Sequence, residues 1–329
     1  MKTVTILALT NTGASTVTGP MDVFHLAGIL WNYSRGEKLT PFFNVEVVSD
    51  DGKPVRCLNR LLIEPHCSIN DVKETDLILI TSILDIDKTL KYQSEIFPWI
   101  KGHYEKGASI ASVCTGTFVL AETGLLNGKT ATTHWGYVEE FKSRYPQIKL
   151  KPDQMITDEG DLFCSGASNG CLDLSLYLVE KYCGHEIAVQ CAKSMVIDLG
   201  RFSQAPYTSV LNFQKSHNDE MVLLSQKYLE QHHRQQINLE EIASLHHVSR
   251  RTFERRFKTA TGDTPLVYVQ RVRIEAAKRY LESETLSFDE IAYQVGYEDA
   301  SFFRKIFKKS TSLTPKEYKS RFKKYAIGN

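Results

Sequence analysis

Two groups of residues in this 329-residue chain are of types and spacings that could do chemistry. The first centres on Cys114, in Gly107-Ala-Ser-Ile-Ala-Ser-Val-Cys114-Thr-Gly-Thr-Phe-Val-Leu-Ala. An apolar strand runs into a thiol and then into a small-residue helix start. This is the layout of a nucleophile elbow, although the strict G-x-S-x-G pattern is absent. Thr115 and Gly116 are expected to let the chain turn sharply after the thiol. A thiol at a helix N-terminus feels the dipole, so a lowered pKa is expected. Twenty residues on, Thr132-Thr-His134-Trp135 offers an imidazole that could pair with the thiolate. The plainer reading is a small buried cysteine and a helix-capping or core histidine.

The second group is basic and repeats. Ile242-Ala243…Phe253-x-x-x-Phe257…Thr264-Pro265-x-x-Tyr268 recurs as Ile291-Ala292…Phe303-x-x-x-Phe307…Thr314-Pro315-x-x-Tyr318. The Phe, Thr-Pro and Tyr positions are offset by 50 and the Ile-Ala pair by 49, so the second copy gains one residue in its turn. Each copy reads as a helix-turn-helix. Ala allows close helix approach, and Ser249 and Asp299 suit the N-cap of the second helix. The i,i+4 phenylalanines share a buried face, and Thr-Pro starts the following helix. The exposed face then carries Ser249, Arg250, Arg251, Glu254, Arg255 and Lys258 in copy one. In copy two it carries Ala300, Ser301, Arg304, Lys305 and Lys308. Such side chains can reach base edges and phosphates in DNA. Lys316, Lys319, Arg321, Lys323 and Lys324 form a further basic run, open to phosphate contact or simple solvation.

The elements that must position these groups differ between the two halves. Thr3–Leu9, Asn44–Val48, Leu77–Thr81 and Ser109–Val113 read as buried strands. Helical patterns lie between them, at about 21–33, 88–105, 115–123 and 135–144. A hairpin is expected over 149–164, then helices at 172–182 and 186–199. This alternation predicts an α/β domain, a flavodoxin-like parallel sheet flanked by helices. The C-terminal half reads as all-α, six or seven helices with two helix-turn-helix motifs. The polar stretch from Arg201, with Pro206, reads as a linker. The expected division is a sensor domain over 1–200, a linker over 201–217 and a DNA-binding domain over 218–329.

Composition excludes a disordered or membrane-filling chain: 42% of residues are hydrophobic and 24% charged. No apolar run reaches the roughly 18 residues of a membrane span, and the first residues read as a strand rather than an export signal. Seven cysteines, an odd number without framework spacing, point to reduced thiols and a cytoplasmic address. The formal net charge of +1 hides an asymmetry. Residues 1–216 hold 20 Lys+Arg against 24 Asp+Glu, a balance of −4; residues 217–329 hold 20 against 15, a balance of +5. No cofactor is called for. No metal constellation is visible, because His232-His233 and His246-His247 are adjacent pairs that do not share a helix face.

These residues carry two resemblances. Val248-Ser-Arg-Arg-Thr-Phe-Glu-Arg-Arg-Phe257 with Gly262-x-Thr-Pro265, and Gly296-Tyr-Glu-Asp-Ala-Ser-Phe-Phe303-Arg-Lys-Ile-Phe307 with Thr314-Pro315, resemble the DNA-binding domain of AraC/XylS-family transcription regulators. The resemblance implies two recognition helices entering successive major grooves, about 34 Å apart. Ala111-Ser-Val-Cys114-Thr-Gly-Thr-Phe…Gly124-Leu-Leu-Asn-Gly-Lys-Thr-Ala-Thr-Thr-His134-Trp resembles the ThiJ/PfpI (class I glutamine amidotransferase-like) superfamily. The nearest branch is the one fused to AraC domains, the GlxA-type regulators. Gly19-Pro20-Met-Asp-Val-Phe24 and Ser165-Gly-Ala…Leu172-Asp-Leu also fit.

One departure separates enzyme from sensor. Enzymes of the superfamily carry an acidic residue before the first helix, near the thiol; isonitrile hydratases carry Asp three residues before the Gly-Pro. Here that position is Thr16. A neutral Thr cannot serve as general acid or base, so the expected role of Thr16, Cys114, Thr115 and His134 is ligand binding, with Cys114 and His134 vestigial as catalysts. The family implies a small effector, of the class of nitrogenous metabolites such as amino acids and betaines. It also implies a homodimer, double-stranded operator DNA and, for an activator, RNA polymerase. Two alternatives stay open: a Cys-dependent hydrolase or hydratase with accessory DNA binding, and a redox sensor working through Cys114.

Overall fold

The computed structural model describes residues 1–208, 213–215, 217–283 and 286–323. Residues 209–212 and 216 of the expected linker, and Lys324 of the terminal basic run, lie outside the described residues. The chain divides into two compact units, Met1–Gln204 and Ala205–Asn329.

The first unit begins with β1 (Lys2–Leu7), α1 (Ser15–Leu26), α2 (Leu30–Ser34), β2 (Phe43–Ser49), β3 (Val55–Arg56), β4 (Leu62–Ile63) and β5 (Cys67–Ser68). It continues with β6 (Leu77–Ile80), α3 (Ile86–Tyr92), α4 (Ile96–Glu105), β7 (Ser109–Val113), α5 (Gly116–Glu122) and β8 (Thr130–Ala131). It closes with α6 (Val138–Arg144), β9 (Lys149–Leu150), β10 (Ile156–Asp158), β11 (Leu162–Ser165), α7 (Gly170–Cys183) and α8 (His185–Met195). A seven-stranded sheet has the order β10-β11-β7-β6-β1-β2-β5. It is parallel except where β10 returns against β11.

Period-two alternation explains the layering. Val4, Ile6, Leu77, Leu79, Ala111 and Val113 face one core, shared with α1, α7 and α8. Leu7, Ile78, Ile80 and Ile110 face the other, filled from α4, α5 and α6 by Ile100, Phe118 and Phe141. Strands covered on both faces need apolar residues at successive positions, which is why they read as continuous Val/Ile/Leu runs.

Three helical and hairpin expectations change. The pattern expected over 21–33 starts six residues earlier, at Ser15, and breaks at Gly28 (φ 74°), where a side chain would collide with the Thr40 carbonyl. The pattern over 88–105 is two helices, broken at Gln93–Glu95. Lys149–Leu150 pairs in parallel with β8, so the hairpin is confined to β10 and β11.

The second unit is helical throughout its described residues: α9 (Glu220–His232), α10 (Leu239–Leu245), α11 (Arg250–Thr261), α12 (Pro265–Ser283), α13 (Phe288–Gln294), α14 (Ala300–Thr311) and α15 (Pro315–Phe322). It has two cores. Ile242, Ala243, Phe253, Phe257 and Tyr268 build one; Ile291, Ala292, Phe303, Phe307 and Tyr318 build its counterpart. The long helix α12 serves both, giving Val269 and Val272 to the first and Ile274, Ala277 and Leu281 to the second.

The described residues of the expected linker pack within the unit to which each belongs. In the first unit, Arg201 grips the buried Asp173 carboxylate with two bonds, Nε to Oδ1 at 3.0 Å and Nη2 to Oδ2 at 2.6 Å. Gln204 is fully buried there, its amide donating to the Thr133 carbonyl at 2.9 Å. In the second unit, the Tyr207 ring meets Phe322 at 5.2 Å, and the buried Lys278 ammonium donates to the Thr208 carbonyl at 2.8 Å.

Candidate effector site and nucleic-acid interface

In open parallel sheets, ligands sit beyond the carboxyl ends of the strands. Four neighbouring strands, β1, β6, β7 and β11, deliver their following loops to one place. Cys114 follows β7 with φ 58°, a left-handed conformation for a residue with a Cβ. Its N–H donates to the Ser165 carbonyl at 2.8 Å, which carries the β7–β11 ladder one step past the strand. Its carbonyl accepts from the Thr133 hydroxyl at 2.9 Å. The strained turn therefore falls on Cys114 itself. Thr115 is in ordinary helical geometry (φ −72°), and Gly116 is needed for a different reason: a Cβ there would strike the Thr81 carbonyl at the end of β6.

The thiol does not have the lowered pKa expected from the helix dipole. Cys114 is 4% exposed, and burial pushes its pKa up; the Ser168 hydroxyl, donating to Sγ at 3.8 Å, and the Thr115 backbone only partly offset this. Taking the thiolate out of water disfavours the charged form, and this is the largest influence on Cys114. The expected pairing with His134 is absent too. His134 Nδ1 accepts the Gly136 N–H at 3.0 Å and caps the turn over Trp135–Tyr137. That leaves Nε2 as the protonated nitrogen, a donor rather than a base. Burial also pulls the His134 pKa down, keeping the ring neutral.

Thr16 lies inside the first turn of α1 rather than ahead of it, and is fully buried. Its hydroxyl donates to the Gly13 carbonyl at 2.7 Å and lies 3.1 Å from Ser82 Oγ and 3.3 Å from Thr12 Oγ1. Next to Ser82, the Ile83 N–H donates to the Thr115 hydroxyl at 3.0 Å, and that hydroxyl bonds back to the Ile83 carbonyl. Thr16, Thr115 and Cys114 thus belong to one neutral hydrogen-bonded floor of loops. His134, Trp135 and Tyr137 are half-buried and Ser168, which donates to Cys114 Sγ, is exposed. The His134 and Trp135 rings stack at 5.1 Å.

Sequence reasoning missed Thr133, Ser168, Ser82 and Gln204. Thr133 stood beside His134 and could have been found; Gln204 carried no signal, since it sits in a stretch read as linker. Its amide also reaches the Thr132 hydroxyl at 3.2 Å and lies flat on Gly166, where any side chain would clash with it.

In the second unit the residues expected to face DNA lie on two matched helices, α11 and α14. Ser249 caps α11 by accepting the Thr252 N–H at 3.3 Å, and Asp299 caps α14 by accepting the Phe302 N–H at 2.9 Å. Tyr268 bonds Glu230 at 2.5 Å and Tyr318 bonds Glu282 at 2.7 Å, tying each copy to the helix that precedes it. Arg251, Arg255 and Lys258 are exposed and have no ion pair among the described residues, as are Lys305 and Lys308. Ser301 is exposed and Ala300 half-buried. Two arginines are engaged already. Arg250 bonds Glu254 and Glu240, both at 2.8 Å. Arg304 bonds Asp289 at 3.1 Å and lies over the Phe288 ring. Arg256, not singled out from sequence, holds Asp219 with two bonds and serves structure.

A model of the DJ-1/PfpI family matches residues 2–181, more than half of the chain. The chain belongs to the DJ-1/PfpI family. A helix-turn-helix domain model matches residues 242–321. The "HTH-type transcriptional regulator CdhR" of Pseudomonas aeruginosa is 24% identical over 271 residues, 82% of this chain and 80% of that one. The "Isonitrile hydratase" of Pseudomonas putida is 29% identical over 172 residues, 52% of this chain and 68% of that one, so an enzyme shares the first unit. In fold, the first unit is like the crystal structure of an AraC family transcriptional regulator from Pseudomonas putida. That likeness has a TM-score of 0.51 at 21% identity, over 59% of this chain and all of that one. This DJ-1/PfpI member is therefore a helix-turn-helix regulator of the AraC family, with a DJ-1/PfpI-like domain in front of its DNA-binding domain.

Proposed function

We propose that this DJ-1/PfpI member binds a specific DNA sequence to regulate transcription and senses a small metabolite at the strand ends around Cys114, without turning it over. The observation that carries the reading is the duplicated helix-turn-helix: two cores, two capped recognition helices and exposed Arg251, Arg255, Lys258, Ser301, Lys305 and Lys308 at matching positions. Ser249, Arg250, Ala300 and Arg304 complete the proposed DNA face. Absence of catalysis is supported by three features of the first unit: a thiol held protonated, an imidazole whose acceptor nitrogen is spent, and Thr16 in the place of an acid. The aromatic segment His134–Tyr137 suits a nitrogenous ligand, because ring faces attract ammonium groups. A ligand regulates only by binding one arrangement of the protein more tightly than another. A homodimer, reading paired half-sites and contacting RNA polymerase when it activates, completes the proposal.

The test is titration of the full chain with duplexes selected from a random pool. Specific binding that weakens steeply and linearly in log–log salt plots is expected, since Lys and Arg contacts release counterions; no enriched duplex would sink the reading. The non-catalytic part is tested by alkylation of Cys114, followed on its own peptide. The folded thiol has a raised pKa. It should react more slowly than a free cysteine at about pH 7.5 and speed up only as pH climbs past the ordinary thiol value of 9.0.

A further inference from the structure

Phe302 stands out on the second recognition helix. It is 54% exposed, in the first turn of α14, between Ser301 and the buried Phe303. Its ring is braced on one side by Tyr297 at 6.3 Å. Tyr297 in turn stacks on Phe303 at 4.3 Å and is covered by the Arg273 guanidinium at 4.9 Å. The exposed ring is therefore positioned rather than loose. The same position in copy one, 50 residues earlier, holds Thr252, whose hydroxyl lies 3.0 Å from Ser249 Oγ and faces its own cap. Only the second copy offers an apolar group there.

What covers such a ring is limited by its neighbours. Helix α14 carries Arg304, Lys305, Lys308 and Lys309 and no carboxylate within its span. A polyanion is the complementary partner. Within the major groove of DNA, the apolar group displayed on a base edge is the thymine C5-methyl, and Phe is among the side chains that contact it. We infer that Phe302 reads a thymine methyl in the half-site of the second helix-turn-helix, adding apolar readout that the first copy lacks. This rests on the DNA-binding reading above.

The experiment uses the full chain and a duplex selected from a random pool, with each thymine replaced in turn by deoxyuridine, which removes only the methyl. One replacement in the half-site of α14 should weaken binding about fourfold, the worth of one buried methyl-sized group. Phe302→Thr, which installs the residue of copy one at an exposed position, should weaken the parent duplex and erase the deoxyuridine effect. Its thermal unfolding should match that of the unchanged chain. Failure to select any duplex overturns the DNA-binding reading and this inference with it. A selected duplex that tolerates deoxyuridine at every position, or loses the same factor in Phe302→Thr, leaves DNA binding standing and overturns the role of Phe302. A ring meant for a protein partner would give that second result.

Discussion

In the first helix-turn-helix the turn into α11 passes through His247 at φ 53°; in the second the turn into α14 passes through Gly296 at φ 93°. Both turns need one left-handed residue. The first has room for a Cβ, while at Gly296 a Cβ would stand 2.5 Å from the Arg234 carbonyl. The helix ends show the reverse preference of residue type. Helix α11 stops at a left-handed Gly262 (φ 80°) and α14 at a left-handed Ser312 (φ 59°). Two copies of one skeleton thus meet the same backbone demands with different residues, and the local surroundings decide where only glycine serves. Their outer faces differ more. Arg250 opens α11 clasped between two carboxylates, Glu254 and Glu240, whose hydrogen bonds and charges push its pKa further up. Ala300 opens α14 with no charge, and Phe302 follows it. The duplication supplies the scaffold twice, and the substitutions on it separate what each copy would read.

The largest expected difference between the copies is in the turns. Gly296→Ala combines an unfavourable left-handed conformation with a backbone collision, and should destabilise the second copy by about 2–4 kcal/mol. His247→Ala, already left-handed and unobstructed, should stay within about 1 kcal/mol. Native-state hydrogen exchange of α13 and α14 against α10 and α11 measures both, and equal effects would break the contrast. Next comes the reading face. Arg255→Ala should cost about 1–3 kcal/mol of specific DNA affinity if the side chain reaches a base. Arg250→Ala should cost less, because Glu240 and Glu254 already hold that guanidinium in the free protein. A greater loss from Arg250 would show that the carboxylates release it on DNA. The smallest effect is at the caps. Gly262→Ser, which gives copy one the cap residue of copy two, meets no neighbour within 4 Å and should cost about 1 kcal/mol from conformation alone. Exchange at the end of α11 reads it.

Much of this was legible in the residues. Ser109–Val113 appears as the strand that its apolar run implied, and the i,i+4 phenylalanines are fully buried in both copies. Caps at Ser249, Asp299 and Thr314 form because their side chains satisfy N–H groups that no helix can pair internally. Period, capping and proline placement act over a few residues, so they can be read along the chain.

The chemistry of Cys114 could not be read that way. Its neighbours in sequence predict a dipole-activated thiol. Its neighbours in space, the loops after β6 and β11 and the buried Thr133, exclude water and hold the proton on sulfur. The orientation of His134 toward Gly136, the burial of Gln204 against Gly166, and the capture of Arg250 by Glu240 ten residues away were likewise decided only by the fold. The sequence by itself determined the α/β and all-helical character of the two parts, most of their strands and helices and the inward-facing phenylalanines, because those follow from periodicity and local hydrogen bonding. Tertiary structure alone decided which polar groups are desolvated and which charges are already spent, because both depend on contacts between segments that the chain order does not place together.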